Sequence, residues 1–179
     1  MKKRNQIYIA TSIDGYIAEK NGGLDWLQAT PNPEGSDLGY SKFTDQIDAL
    51  VMGRNTFEMI CGFEGDWPYK VPVFVLSNSL NQVKEEYQDK AFLVNGTLQE
   101  VVSKIHNNGF YSLYIDGGKT VQGFLKEDLV DDLIITTIPI VLGEGVPLFS
   151  PMETRLEFDL VSSEVFINQL VQTHYKRKK

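Results

Sequence analysis

Short apolar runs alternate along this chain with segments of helical spacing, and no other feature of the sequence restricts its fold as much. Residues 7–10, 50–52, 71–76, 91–94, 113–115 and 133–142 are nearly continuous in apolar side chains, as strands buried on both faces are. Residues 40–47, 55–61, 98–106 and 120–126 instead space their apolar side chains at intervals of three and four. A strand parallel to its predecessor needs a long crossover, which these helical segments supply, so the alternation predicts an α/β architecture with a mostly parallel sheet. The end of the chain breaks the rule. Residues 156–165 and 166–175 read as two strands joined by a turn, so the sheet is expected to finish antiparallel. With 179 residues, 42% of them hydrophobic, the chain suffices for one domain spanning residues 1–179. No repeat, low-complexity tract or linker interrupts it. The longest irregular stretch, residues 21–39, is rich in Gly and Pro, and such stretches are usually functional or mobile.

Charge and cysteine usage exclude several classes. The net charge is -7 and the pI about 4.8, so the surface as a whole repels nucleic acid and acidic membranes. An anionic ligand must therefore be held locally. The one basic cluster, Lys176, Arg177, Lys178 and Lys179, reads as a solvated tail closing a strand. No apolar run reaches the roughly 18 residues of a membrane span. The single cysteine, Cys61, has no partner within the chain, suits a reducing cytoplasm and reads as a small buried hydrophobe. His106 and His174 are far apart and lack the spacing of a zinc site, so no metal is expected.

The stretch LYIDGGKTVQGFL, residues 113–125, carries the chemistry most open to interpretation. It fails the Walker A pattern, because Leu113 stands where a glycine is needed, and it fails G-x-G-x-x-G, because Gly117 and Gly118 are adjacent. A strand running through two glycines into a helix still leaves first-turn amides facing the loop, which favours an anion by about 0.3 to 1 kcal/mol. A plain strand-to-helix turn fits the residues about equally well.

Four motifs in order, ATSIDGYIA at 10–18, DALVMGRNTFE at 48–58, VFVLSN at 73–78 and LYIDGGKTVQGFL continuing to LVDDLIITTIPIVLGEGVPLF, resemble the dihydrofolate reductase superfamily. The resemblance is closest to the branch that includes the C-terminal reductase domain of the bifunctional riboflavin-biosynthesis deaminase/reductase. It implies a three-layer dihydrofolate-reductase-like fold with helices on both faces of the sheet, a cytoplasmic NADPH-dependent reductase, and a homodimer of the kind common in that branch. It also implies that Gly117, Gly118, Lys119, Thr120 and Val121 cradle the cofactor pyrophosphate across a cis Gly–Gly bond. Gly53, Arg54, Asn55 and Thr56 would meet the phosphates from the other side; Leu76, Ser77 and Asn78 would hold the adenosine ribose and its 2′-phosphate; Ala10 and Ile17 would border the nicotinamide. Arg54 also has the spacing for an i, i+4 pair with Glu58. Many relatives carry arginine where this chain has Asn78, which forfeits about 1.5 to 3 kcal/mol toward a 2′-phosphate and leaves NADH as the alternative cofactor.

The same resemblance implies a catalytic pair. Counting back from Arg54 places Asp37 where folate reductases keep a carboxylate with a burial-raised pKa, and Thr136 matches its threonine partner. Asp37 also has the chemistry of a helix cap in GSDLGYSKF. Asp14-Gly15 reads as a turn, and Trp26 as either a lid over the nicotinamide or a buried anchor. The acceptor is expected to be a small pteridine- or pyrimidine-like heterocycle. Ser41 stands where folate reductases place an aromatic, and only Lys70 offers charge for a glutamate tail, which argues against dihydrofolate itself. The 5-amino-6-(5-phosphoribosylamino)uracil reductase reaction is a candidate, although no basic cluster for a ribose phosphate is evident. The competing readings are a non-catalytic dinucleotide-binding protein, a true dihydrofolate reductase, and a phosphotransferase.

Overall fold

In the computed structural model, which describes residues 2–179, ten strands and four helices alternate as expected. The strands are β1 (Arg4–Thr11), β2 (Tyr16–Ala18), β3 (Ala49–Gly53), β4 (Val73–Leu76), β5 (Ala91–Val94), β6 (Ser112–Asp116), β7 (Asp132–Thr137), β8 (Val146–Pro147), β9 (Phe158–Phe166) and β10 (Leu170–Arg177). The helices are α1 (Tyr40–Thr44), α2 (Arg54–Ile60), α3 (Leu98–Asn107) and α4 (Gly118–Lys126). Eight strands form one sheet in the order β5-β4-β3-β6-β1-β7-β10-β9. β5 through β7 run parallel, and β10 pairs antiparallel with both β7 and β9. The mostly parallel sheet with an antiparallel finish is thus as the alternation demands.

Each strand alternates its side chains between two apolar layers. Ile7, Val51, Leu113 and Ile115 face one layer with Val101, Val102 and Ile105 of α3 and Val121, Phe124 and Leu125 of α4. Leu50, Met52, Val75 and Tyr114 face the other, with Phe43 of α1 and Phe57 of α2. Local signals fix where the helices begin. For α3, the Glu100 amide donates to Thr97 Oγ1 at 3.3 Å while the Thr97 amide donates to Glu100 Oε2 at 2.9 Å, a reciprocal cap that satisfies two orphan donors.

Three expectations need correction, and one element had no expectation. The apolar run at 133–142 leaves the ladder after Thr137, because Pro139 has no amide to donate; Ile138 turns into a third cluster with Trp26 and Leu170. The short pair β2 and β8 has too few residues to leave a periodic signal. The basic tail is not simply solvated. Arg177 forks onto Asp128 at 2.7 and 3.0 Å, Lys178 meets Asp159 at 3.0 Å and Lys179 meets Asp131 at 2.7 Å. Finally, no cis peptide bond occurs among the described residues, so the bond joining Gly117 and Gly118 is trans.

Candidate functional site

The sheet changes direction at β3 and β6. These strands are parallel neighbours, yet the helix after β3 packs on one face and the helix after β6 on the other, as the two apolar layers around Phe57 and Phe124 demonstrate. Such a switch opens a crevice at the carboxyl ends of the strands. Both glycine bends lie there, and they interlock. A β-carbon at Gly117 would fall on Thr56 Oγ1, and one at Gly53 would stand 3.0 Å from Thr120 Oγ1. Each bend therefore keeps its backbone bare where the threonine of the other bend crosses it. Gly117 also has φ 89°, a conformation that side-chain-bearing residues rarely adopt. A β-carbon at Gly118 would meet Ile17 Cδ1 at 2.9 Å and Val146 Cγ1 at 3.2 Å, so the β2–β8 pair roofs the start of α4.

The other residues expected at a cofactor are placed as follows. Arg54 Nη1 donates to Ser79 Oγ at 2.9 Å, and Arg54 Nε lies 3.7 Å from Glu58, so the arginine serves both its helix and the loop after β4. Ser77 shapes that loop by accepting the Ser79 and Leu80 amides at 3.2 and 2.9 Å. Leu76 pairs with Gly53 in the sheet, while Asn55, Asn78 and Lys119 are exposed. The Val121 side chain is buried in the core and its amide already donates to Gly117 O at 2.9 Å, so it offers a ligand nothing.

Ala10, Thr136 and Gln172 stand in one register row across β1, β7 and β10. Gln172 Nε2 lies 2.9 Å from Thr136 Oγ1, 2.9 Å from the Tyr8 hydroxyl and 3.2 Å from Leu38 O, and the Tyr8 hydroxyl donates to Leu38 O at 2.6 Å. This network ties the segment before α1 to the sheet. It holds Leu38 at φ 56°, the left-handed region, which costs a leucine about 1 to 2 kcal/mol.

Asp37 therefore sits beside Thr136's neighbours, but not as a buried acid. It is exposed, and hydrogen bonds from the Ser41 hydroxyl, the Ser41 amide and the Gly39 amide hold its carboxyl below the usual range. Helix capping accounts for these contacts, because a carboxylate that accepts several N–H bonds is stabilised in its charged form. Asp14 is likewise structural: it accepts from Ser12 Oγ at 2.6 Å and from the Leu142 and Gly143 amides at 3.1 and 2.7 Å. Trp26 is a buried anchor against Ile138 and Leu170.

The carboxyl that burial does raise is Asp116, the last residue of β6, whose one hydrogen bond among the described residues comes from the Gly117 amide at 2.8 Å. Strand alternation turns it to the same face as Tyr114, toward Tyr40 and Tyr69. Asp116 stands outside the residues expected from the sequence. An acidic residue closing a buried strand directly before two glycines was the available signal.

A family model described as the RibD C-terminal domain matches residues 6–172 of this chain. The chain belongs to the RibD C-terminal domain family. Among relatives of this RibD-like chain, YwjB of Bacillus subtilis, described as an uncharacterized protein, is 34% identical over 99% of both chains. A crystal structure of a putative riboflavin biosynthesis protein from Shewanella sp. PV-4 is 52% identical, with a TM-score of 0.95 over 98% of this chain and 99% of that one. The dihydrofolate reductase of Enterococcus faecalis, solved with NADP(H) and RAB-propyl, shares the fold at 20% identity, with a TM-score of 0.67 over 98% and 97% of the two chains. The superfamily resemblance carried by the four motifs thus holds.

Proposed function

We propose that this RibD-like chain is an NADPH-dependent reductase that delivers a hydride to a small heteroaromatic acceptor. The observation that carries the reading is the interlock of the two bends, Thr56 over Gly117 and Thr120 over Gly53, at a switch point between parallel strands. Two features suit such a crevice to a pyrophosphate: the first turn of α4 presents unpaired amides, and Lys119 and Arg54 supply exposed positive charge from the two bends. When bound, the dihydronicotinamide supplies the hydride. The chain's own residues do the rest. Ala10 and Ile17 border the ring, the β2–β8 pair covers it from water, and the Ala10–Thr136–Gln172 row orients the acceptor.

Proton transfer suits Asp116 better than Asp37, because burial favours the neutral form of the Asp116 carboxyl while hydrogen bonds favour the charged form of Asp37. Asp37 keeps its place in the proposal at the rim of the acceptor pocket. The test is a titration with NADPH, NADH and ATP followed by a panel of pteridine, pyrimidine and quinone acceptors. NADPH raises the melting temperature and is oxidised by at least one acceptor, while ATP does neither. Arg54→Ala weakens NADPH and NADH alike, roughly tenfold, because the pyrophosphate that the arginine faces is common to both. An arginine variant that leaves both affinities unchanged removes Arg54 from the phosphate site, and failure of every dinucleotide to bind removes the reductase.

A further inference from the structure

The roof over the start of α4 is too slight to hold itself. β2 has three residues and β8 two, their register shifts between Tyr16 and Ala18, and they pair with each other rather than with the main sheet. A two-stranded pair of this kind is marginal in water. Yet it brings Ile17 and Val146 against Gly118, and its strands approach so closely that a β-carbon at Gly145 would fall on the Ala18 carbonyl oxygen.

One carboxylate fastens the pair. Asp14, in the turn between β1 and β2, accepts from Ser12 Oγ at 2.6 Å and from the Leu142 and Gly143 amides at 3.1 and 2.7 Å, in the loop that leads into β8. Those two amides find no other acceptor among the described residues. Ser12 Oγ in turn accepts the Tyr16 amide at 3.0 Å, so the same chain of bonds reaches the first residue of β2. Backbone bonds flank the carboxylate, from the Ile13 amide to Ile140 O at 2.8 Å and from the Leu148 amide to Gly15 O at 2.9 Å. The other side-chain ties are lesser ones. Lys20 meets Glu144 at 3.0 Å with both ends exposed, and Gln122 Nε2 donates to Pro147 O at 2.7 Å, which joins β8 to α4 but not to β2.

We infer that Asp14 is a positioning residue: by binding the turn before β2 to the loop before β8, it holds the roof closed over the first turn of α4 and sets how long a dinucleotide stays in the crevice. The inference rests on the reductase reading and adds a residue to it. Asp14 acts through Ile17 and Val146, which meet Gly118 in its place. The geometry also requires a carboxylate. Oδ1 serves Ser12 and Leu142 while Oδ2 serves Gly143, so either orientation of an asparagine would set its NH2 group against a backbone N–H.

The experiment measures NADPH dissociation by stopped flow, turnover, and amide exchange without cofactor, in the wild-type protein and in Asp14→Asn, Gly145→Ala and Lys20→Ala. In Asp14→Asn, exchange at residues 16–18 and 142–148 speeds about tenfold while β6 and α3 are unchanged. NADPH leaves about fivefold to tenfold faster, and kcat at saturating NADPH stays within about twofold. Gly145→Ala, which parts the strands with Asp14 intact, gives the same pattern, and Lys20→Ala alters no rate by more than about twofold. Equal dissociation rates in the wild-type protein and Asp14→Asn overturn the inference, as does faster exchange spread evenly over β6 and α3, the mark of general destabilisation. If NADPH binds and the rates are equal, the reductase reading stands and the role of Asp14 falls. Failure of the wild-type protein to bind NADPH removes the reductase reading and the retention role with it, whereas exchange still tells whether Asp14 fastens the roof.

Discussion

Replacing Gly117 by alanine tests the interlock of the two bends without reference to any ligand. At φ 89° a residue with a β-carbon bears a backbone penalty of about 1 to 3 kcal/mol. The added carbon also collides with Thr56, whose own Cβ would lie only 3.3 Å away, so a rotation of the hydroxyl does not clear the space. Overpacking of this kind costs about 1 to 3 kcal/mol, which brings the expected total to roughly 2 to 6 kcal/mol. For a chain of this size that is a melting temperature lowered by about 4 to 24 °C. Thr56→Ala removes the colliding oxygen and methyl but not the backbone penalty. The double variant should therefore recover about 1 to 3 kcal/mol relative to the sum of the single changes, a coupling that urea denaturation of the four proteins resolves. If Gly117→Ala costs less than about 0.5 kcal/mol, or if the two changes simply add, the bends do not cross as described.

Three further outcomes follow from the same geometry. Asp132 is buried, accepts from Arg4 at 2.6 and 2.9 Å and lies 2.8 Å from His174 Nε2, so Asp132→Ala should cost about 2 to 3 kcal/mol in urea, reduced from the fully buried case because both partners reach water. His106 is buried with its Nε2 unpartnered, and burial lowers its pKa, so the unfolded chain binds the extra proton. Its contribution to stability is present above the ordinary histidine value of about 6.5 and is lost as pH falls through the lowered folded value; His106→Gln should flatten the acid limb of stability against pH between about pH 7 and 5. Gln172→Leu removes partners from Thr136, Tyr8 and Leu38 together, which should cost about 1 to 3 kcal/mol and speed amide exchange at residues 38–41 more than in β5.

Much of the architecture was legible because one signal, the change of apolar period, is both local and repeated. α3 and β5 appear almost at the expected limits, since a Thr–Glu cap opens the one and an unbroken apolar run, Ala91 to Val94, makes the other. β2 and β8 were not legible, because three- and two-residue strands are made by their partner rather than by their own pattern. The aspartates that pair with the basic tail were hidden for a similar reason: Asp128, Asp131 and Asp159 lie far from their partners in sequence, and ion pairs leave no period. At the site, the glycine bends were legible as strand-to-helix turns, and their meeting was implied only by resemblance. Resemblance pointed to Asp37 and nothing pointed to Asp116, because the surroundings of a carboxyl depend on side chains such as Tyr40 and Tyr69 that arrive from distant segments.

The ion cluster of Arg4, Asp132 and His174 lies at the foot of β1, β7 and β10, yet it governs what stands at the head of those strands. It can form only when the three are aligned as they are, with Gln6 beside Asp132 and Lys176 across from it. A slip of one position would turn Thr136 away from Gln172 and present Ile135 or Thr137 instead, because side chains alternate from face to face. The buried aspartate thus acts as an alignment pin some four residues, or about 13 Å, from the threonine whose direction it decides.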